Sequence, residues 1–245
     1  MVPKRPRIKI CHLLLDPSQP QDIPLEKWES SMKRQTFSIQ KFEKIAPNFS
    51  CYSKIYSIVN RTELPEETCA QPEIINHSKE FKNEPPVLSY GHYGAYVAHR
   101  SAIEDFGNYD AILIVEGDAI YDLEPEEMTK SIYDAYEFGV KESASMITLG
   151  EVSYGLGSRA SVEDNSVPMG KYKKIDHFLV VHCYMLFSSE KESIQYKLKN
   201  TGWHTFDIWL YWNYDRRVPI FATSSPLSRQ IEGYSFIDYG DKNLS

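Results

Sequence analysis

The sequence predicts an α/β domain. Short apolar segments of strand type alternate along the chain with segments whose apolar residues recur at helical spacing. One strand-type segment, Ala111–Val115, is apolar at every position, as a central strand covered on both faces must be. Size agrees. A chain of 245 residues makes one large domain or two small ones. It buries about 70% of its unfolded surface without disulfide or metal staples.

Ile8–Leu15 reads as the first buried strand. Asp22, Ile23 and Pro24 supply an N-cap and a first-turn proline. Leu25, Trp28, Met32, Phe42 and Ile45 then form an imperfect helical stripe, ended by Pro47. Cys51–Val59 predicts a second strand. Residues 60–86, rich in Pro, Asn, Glu and Ser, read as a long loop of the kind that is functional or mobile in compact domains. Ser89–Phe106 predicts a helix with Tyr93, Val97, Ala98 and Ala102 to one side, and the Ala111–Val115 strand follows. Glu124-Pro125-Glu126 opens a helix to Phe138, its acids in the first turn where the helix dipole favours them. Ser145–Leu149 is a further strand, and residues 150–170, with four glycines, read as a flexible loop. Phe178–Phe187 is the next strand, and Ser188-Ser189-Glu190 caps a helix to Asn200. Phe206–Tyr214 is a short aromatic helix, and Val218–Ala222 is a last short strand before an extended tail.

The net charge is −7 and the pI is near 5.6. A dedicated duplex-DNA binder carries a basic face and a high pI, so that class is disfavoured. The run Lys4-Arg5-Pro6-Arg7 reads as a solvated tail. Cys11, Cys51, Cys69 and Cys183 contain no C-x-x-C pair, so zinc-site spacing is absent. Three of them lie in apolar segments, where a free thiol packs as a small hydrophobe. A reduced, cytoplasmic setting is therefore expected. No stretch approaches the ~20 apolar residues of a membrane span. Ile8–Leu15 is too short and interrupted for a signal peptide. No transmembrane segment is expected, with peripheral association through the basic N-terminus left open.

The most informative stretch is Ala111-Ile-Leu-Ile-Val115-Glu116-Gly117-Asp118. A buried strand runs directly into two carboxylates at i, i+2, flanking a glycine that lets the backbone turn. In open α/β sheets, ligands sit at the carboxyl ends of strands. Two acids there can hold a hard divalent cation, typically shared with substrate phosphates, and the cation relieves their mutual repulsion. A strand ending in a polar turn is the commoner origin of the bare pattern.

This segment resembles the D-x-D-type motif of nucleotide-sugar glycosyltransferases with the GT-A fold. Further pieces, in order, make the chain resemble glycosyltransferase family 25, the lipopolysaccharide and collagen β-galactosyltransferase-like family. Gly91-His-Tyr-Gly94-Ala-Tyr-Val-Ala98-His99 is similar to that family's Gly-Glu-x-Gly-Cys-x-x-Ser-His segment. Val181-His182-Cys-Tyr184-Met-Leu resembles its Thr-His-Ala-Tyr strand, and Phe206-Asp207-Ile-Trp209-Leu resembles its Asp-containing helix start. Ser225-Pro226-Leu-Ser-Arg-Gln230-Ile-Glu-Gly-Tyr-Ser235 resembles its Pro-Leu-x-x-Gln…Ser tail. Glu116-Gly117-Asp118 stands where the family usually has Glu-Asp-Asp, and the family's arginine-rich segment after the first strand is not evident.

The resemblance implies a GT-A-like domain over residues 1–245, with a mixed, mostly parallel sheet flanked by helices. Residues 1–120 would form the nucleotide-binding half and residues 121–245 the acceptor side. It implies an inverting transfer from a nucleoside-diphosphate sugar, assisted by Mn²⁺ or Mg²⁺, to a carbohydrate or glycoconjugate hydroxyl. A divalent ion offsets the charge that builds on the diphosphate. Asp118 is the best direct ligand, and Glu116 binds the metal through water or hydrogen-bonds the ribose. His182 is a third ligand, a diphosphate contact or a core histidine. Asp207, at a helix N-terminus that favours its ionised form, is the candidate general base for the acceptor hydroxyl, or else a plain first-turn acid. His99 matches a family position and orients the acidic strand or the donor, or simply packs. Arg229 and Gln230 can close over the diphosphate or acceptor, or form an ordinary surface pair.

Aromatic residues make up 13% of the chain, and Trp203, Trp209 and Trp212 fall within ten positions around Asp207. Flat rings with a polar edge suit the C–H faces of sugars, so Trp203, Trp209 and Tyr184 are candidate substrate contacts. Core packing is the competing explanation for each ring. Two other functional classes remain in play. One is a non-catalytic nucleotide-sugar or glycan-binding module. The other is a metal-dependent phosphoesterase, which needs more clustered Asp, Glu and His than this chain displays.

Overall fold

The computed structural model describes residues 5–17, 25–57, 90–151, 167–175, 182–204, 206–213 and 218–229. The expected Asp22–Pro24 cap, the 60–86 loop, Cys69, Gln230 and the tail beyond it lie outside the described residues. So do Tyr214 and the side chains of Tyr211 and Trp212.

Among the described residues eight strands form one sheet: β1 (Ile8–Leu15), β2 (Cys51–Ser57), β3 (Ala111–Glu116), β4 (Met146–Thr148), β5 (Val167–Met169), β6 (Tyr172–Ile175), β7 (Cys183–Phe187) and β8 (Ile220–Thr223). Their order is β2-β1-β3-β7-β4-β8-β6-β5. β2, β1, β3, β4, β8 and β5 point one way, and only β7 and β6 oppose them. The sheet is therefore mixed and mostly parallel by strand direction.

Among the described residues the helices that cover it are α1 (Leu25–Ile45), α2 (Tyr90–Glu104), α3 (Pro125–Lys141), α4 (Lys191–Asn200) and α5 (Phe206–Asn213). Successive strand residues point to opposite faces, so β3 divides its side chains between two cores. Ala111, Leu113 and Val115 join Phe42 and Ile45 of α1 and Met128, Ile132 and Ala135 of α3. Ile112 and Ile114 join Tyr96 and Ala102 of α2, Leu198 of α4 and Phe206 and Trp209 of α5. The unbroken apolar run of β3 is the requirement of a strand covered on both sides.

The imperfection in the α1 stripe has a physical cause. Its buried face carries Ser31, Gln35, Ser38 and Lys41 among the apolar residues; Gln35 and Lys41 bind backbone, Ser38 binds the buried His12, and Ser31 accepts from Arg34. Gln35 accepts from the Leu15 N–H at 2.7 Å and donates to the Leu15 carbonyl at 2.9 Å. Lys41 donates to the carbonyls of Tyr121 at 2.6 Å and Leu123 at 2.8 Å. Arg34 donates to the Asp118 carbonyl at 3.2 Å and to the hydroxyls of Ser30 and Ser31. The helix thus satisfies carbonyls that leave the sheet at the ends of β1 and β3, which buried backbone requires.

Several elements differ from expectation. Residues 188–190 form a 3-10 turn with no side-chain cap, so Ser188 and Ser189 extend the chain into α4 without capping it. The segment read as a flexible loop ends in a strand. β5 and β6 form a hairpin in which Met169 pairs with Tyr172 across a two-residue turn, and Gly170 takes a φ of 67°. Its short strands and Pro168 obscured it, yet proline is tolerated on an edge strand. α3 runs to Lys141, three residues past expectation, its start fixed by Pro125 and by the Glu127 carboxylate accepting from the Glu124 N–H. Cys11 and Cys183 are buried free thiols and Cys51 is a half-buried one. Among the described residues no helix is long and apolar enough to cross a membrane.

His12 sits fully buried in β1, its Nδ1 2.8 Å from the Tyr52 hydroxyl and its Nε2 3.0 Å from the Ser38 hydroxyl. Burial, reinforced by the Lys54 charge, lowers its pKa from 6.5 to about 3. Below pH 6.5 the unfolded chain takes up a proton that the folded chain refuses, so this contribution to stability is full above 6.5 and is lost as pH falls toward 3. From pH 7 to pH 5 the loss is about 2 kcal/mol. Urea unfolding at the two pH values will show a smaller loss for His12→Gln than for wild type. Equal losses would contradict this account.

Candidate functional site

The carboxyl ends of β1, β3 and β4 lie at one edge of the sheet, with the start of β7 between β3 and β4. Glu116 ends β3, and its N–H donates to the His182 carbonyl at 2.8 Å. Gly117 follows, its N–H bonded to the Leu13 carbonyl at 2.8 Å. A Cβ at Gly117 would lie 2.6 Å from Leu14 Cδ2, 3.1 Å from the Leu13 carbonyl oxygen and 3.3 Å from Gln35 Cγ. Its backbone is not in the left-handed region. Close approach to β1 and α1, not backbone conformation, favours glycine here, since any side chain must displace the Leu14 side chain and crowd the Leu13 carbonyl.

The Glu116 carboxylate is partly exposed and accepts from His99 Nε2 at 3.1 Å. A carboxylate can only accept, so Nε2 carries the proton. Tyr184, whose pKa burial drives well above 10, keeps its hydroxyl proton and can donate it to His99 Nδ1, 2.9 Å away. Burial opposes ionisation of Glu116, but the hydrogen bond and field of His99, with the field of His182, outweigh it and hold this carboxyl below its ordinary value. Asp118 goes the other way. Burial and the neighbouring Glu116 charge push it up to about 6, against a downward pull from Arg34. The Tyr121 hydroxyl donates to the Glu116 carbonyl at 2.8 Å and closes the turn from below.

His182 is buried opposite Glu116. It lies tight against Gly150, where a Cβ would come 2.6 Å from its Nε2. That nitrogen is 3.3 Å from the Ser228 carbonyl, while Nδ1 has no hydrogen-bond partner among the described residues. Burial lowers the His182 pKa despite the pull of Glu116, so a neutral imidazole faces the acidic edge. No group of three or more His, Cys, Asp or Glu is close enough to hold a metal among the described residues. Glu116, Asp118 and His182 share one edge without forming a closed ligand cage.

His99 reaches further than the acidic strand. Its ring stacks on Phe206 at 4.2 Å with planes 4° apart. Phe206 is the first residue of α5, and the candidate base Asp207 is the second. His204, three residues before Asp207, has its pKa lowered by burial and raised by the Asp207 charge. The sequence reading passed over His204, although a histidine one turn before a helix-start acid is a legible signal.

The aromatic candidates require correction. Trp209 is fully buried, its indole N–H donating to Thr201 Oγ1 at 2.9 Å. Tyr184 is fully buried on His99, and Trp203 is buried edge-on against Tyr93 at 4.9 Å. None offers an open face to a sugar, because the layer between α2, α4 and α5 consumes those rings as core. Arg229 stands exposed and donates through Nε to Asp122 at 2.7 Å, while its backbone pairs with Ile120. That bridge pins the tail beside the turn after β3.

No family model and no curated protein sequence matches the chain. Solved structures give loose overall likenesses. One is a glycosyltransferase involved in the glycosylation of the major capsid of PBCV-1, at 13% identity and a TM-score of 0.45, covering 94% of this chain and 95% of that one. S. aureus TarS 1–349 aligns at 13% identity and a TM-score of 0.44, over 90% of this chain and 60% of that one. An apo UDP-glucose pyrophosphorylase aligns at 16% identity and a TM-score of 0.43, over 88% and 90%.

Because Gly117 is packed from three sides, restoring an acid there will not improve the site. Gly117→Asp is expected to cost about 1–3 kcal/mol of stability through overpacking. Chemical denaturation of the variant against wild type measures this, and unchanged stability would show that the turn has room to spare.

Proposed function

We propose that this protein is a metal-dependent glycosyltransferase that moves a sugar from a nucleoside-diphosphate sugar to a hydroxyl acceptor with inversion. The observation that carries the reading is the pair Glu116 and Asp118 at the carboxyl end of a strand covered on both faces, where α/β sheets bind ligands, with Asp118 pushed up to about 6. A carboxyl so placed is uncomfortable as a bare anion and suits a cation. The donor set fits a divalent ion that completes its shell with ligand phosphates and water, and does not fit one caged by protein alone.

Asp118 and Glu116 would hold the ion, its remaining positions going to water and ligand phosphates. When bound there, the ion supplies charge neutralisation for the diphosphate leaving group. The chain's own residues supply the rest. The acceptor oxygen forms a bond to the anomeric carbon as the carbon–oxygen bond to the diphosphate breaks, and the hydroxyl proton passes to the Asp207 carboxylate. His99 holds Glu116 ionised and oriented. Arg34 grips the Asp118 carbonyl and opposes the rise in that residue's pKa. Arg229 and Gln230 would border the diphosphate. A cytoplasmic location and a division into a nucleotide-binding half at residues 1–120 and an acceptor half at residues 121–245 belong to the same proposal.

A panel of nucleotide sugars tests the reading. Wild type is expected to release nucleoside diphosphate from at least one donor only when Mn²⁺ or Mg²⁺ is present. Asp118→Ala is expected to lower that rate by about 100-fold or more, the scale of losing transition-state charge stabilisation. Donor binding without turnover across an acceptor screen would instead indicate a binding module. Cleavage of simple phosphodiesters without sugar donors would indicate a phosphoesterase.

A further inference from the structure

We infer that His99 is a positioning residue that links the cation-holding edge to the base-bearing helix, acting on Glu116 through a hydrogen bond and on Asp207 through the Phe206 stack. This inference rests on the proposed transferase function. Three contacts argue for it. The Nε2 of His99 is 3.1 Å from the Glu116 carboxylate, Nδ1 is 2.9 Å from the Tyr184 hydroxyl, and the ring lies flat on Phe206 at 4.2 Å. Together they tie α2 to β3, β7 and the first turn of α5. The residue is 1% exposed and cannot touch an acceptor directly. A packing histidine would need only the stack, and a ligand-orienting histidine only the hydrogen bond. This one makes both, and its second nitrogen is also engaged, so the ring has no freedom to turn.

The two contacts can be separated. His99→Phe keeps a ring for Phe206 and removes the donor to Glu116. His99→Gln keeps an amide donor and removes the ring. Phe206→Leu removes the stack from the other side and leaves His99 intact, which keeps the test open should a His99 variant fail to fold. Mn²⁺ affinity, measured by electron paramagnetic resonance without any donor, reads the first contact. The kcat for donor turnover at saturating Mn²⁺ reads the second.

His99→Phe is expected to weaken Mn²⁺ binding by about tenfold or more, the usual cost of losing a partner that orients a ligand, and to lower kcat at saturating metal less than His99→Gln does. His99→Gln and Phe206→Leu are expected to retain Mn²⁺ affinity and to lose kcat by about tenfold or more, as a displaced base requires. Parallel changes in both readouts, or none in either, would overturn the linkage and leave a packing residue. Failure of wild type to bind Mn²⁺ or to turn over any donor would overturn the transferase reading itself, and the linkage with it.

Discussion

Glu116 and Asp118 stand two residues apart at the end of a strand buried on both faces, and the repulsion between their carboxylates governs the arrangement of everything around them. Water is too sparse there to screen the pair fully. One acid is therefore stabilised as an anion, chiefly by the hydrogen bond from His99, and the other rises toward neutrality. Perturbed pKa values cluster at functional sites, where catalysis and ligand binding need them. The structure stabilises one of the two anions with its own side chains, and under the proposed function a cation would stabilise the other.

The supporting elements follow from that constraint. α1 carries hydrogen-bonding residues on its buried face because the chain leaves the sheet beside it, and Arg34, Gln35 and Lys41 bind the carbonyls exposed there. Gly117 lets β3 run against β1 closely enough for this grip to form. Tyr121 and the Ile120–Arg229 bridge hold the turn from the other side. The edge is thus rigid on its protein side, as pre-organised ligand sites require.

The sequence was most legible where one physical demand dominated. β3 is apolar throughout because two layers cover it, and that pattern alone located the central strand and the acids at its end. The α3 start was legible because Pro125 and its acids obey helix-end chemistry. Elsewhere demands were mixed. The Trp203–Trp209 segment held rings that suit sugars and cores equally, and only burial distinguished the two. The β5–β6 hairpin was hidden by its brevity and by Pro168. The α1 stripe looked imperfect because its polar members bind backbone, a role that periodicity does not encode. The double engagement of His99 depends on Phe206, more than a hundred residues away, and no local pattern could reveal it.

Under the proposed function a divalent cation completes the acidic strand end. The most direct test is the proton balance of Mn²⁺ binding, followed calorimetrically in buffers of different ionisation enthalpy. With Asp118 near 6 in the free protein, binding at pH 6 should release about half a proton per ion, falling toward none at pH 8, where the carboxyl is already ionised. Asp118→Asn should abolish the release. Binding at pH 6 with no proton released, or with the same release from Asp118→Asn, would contradict the account.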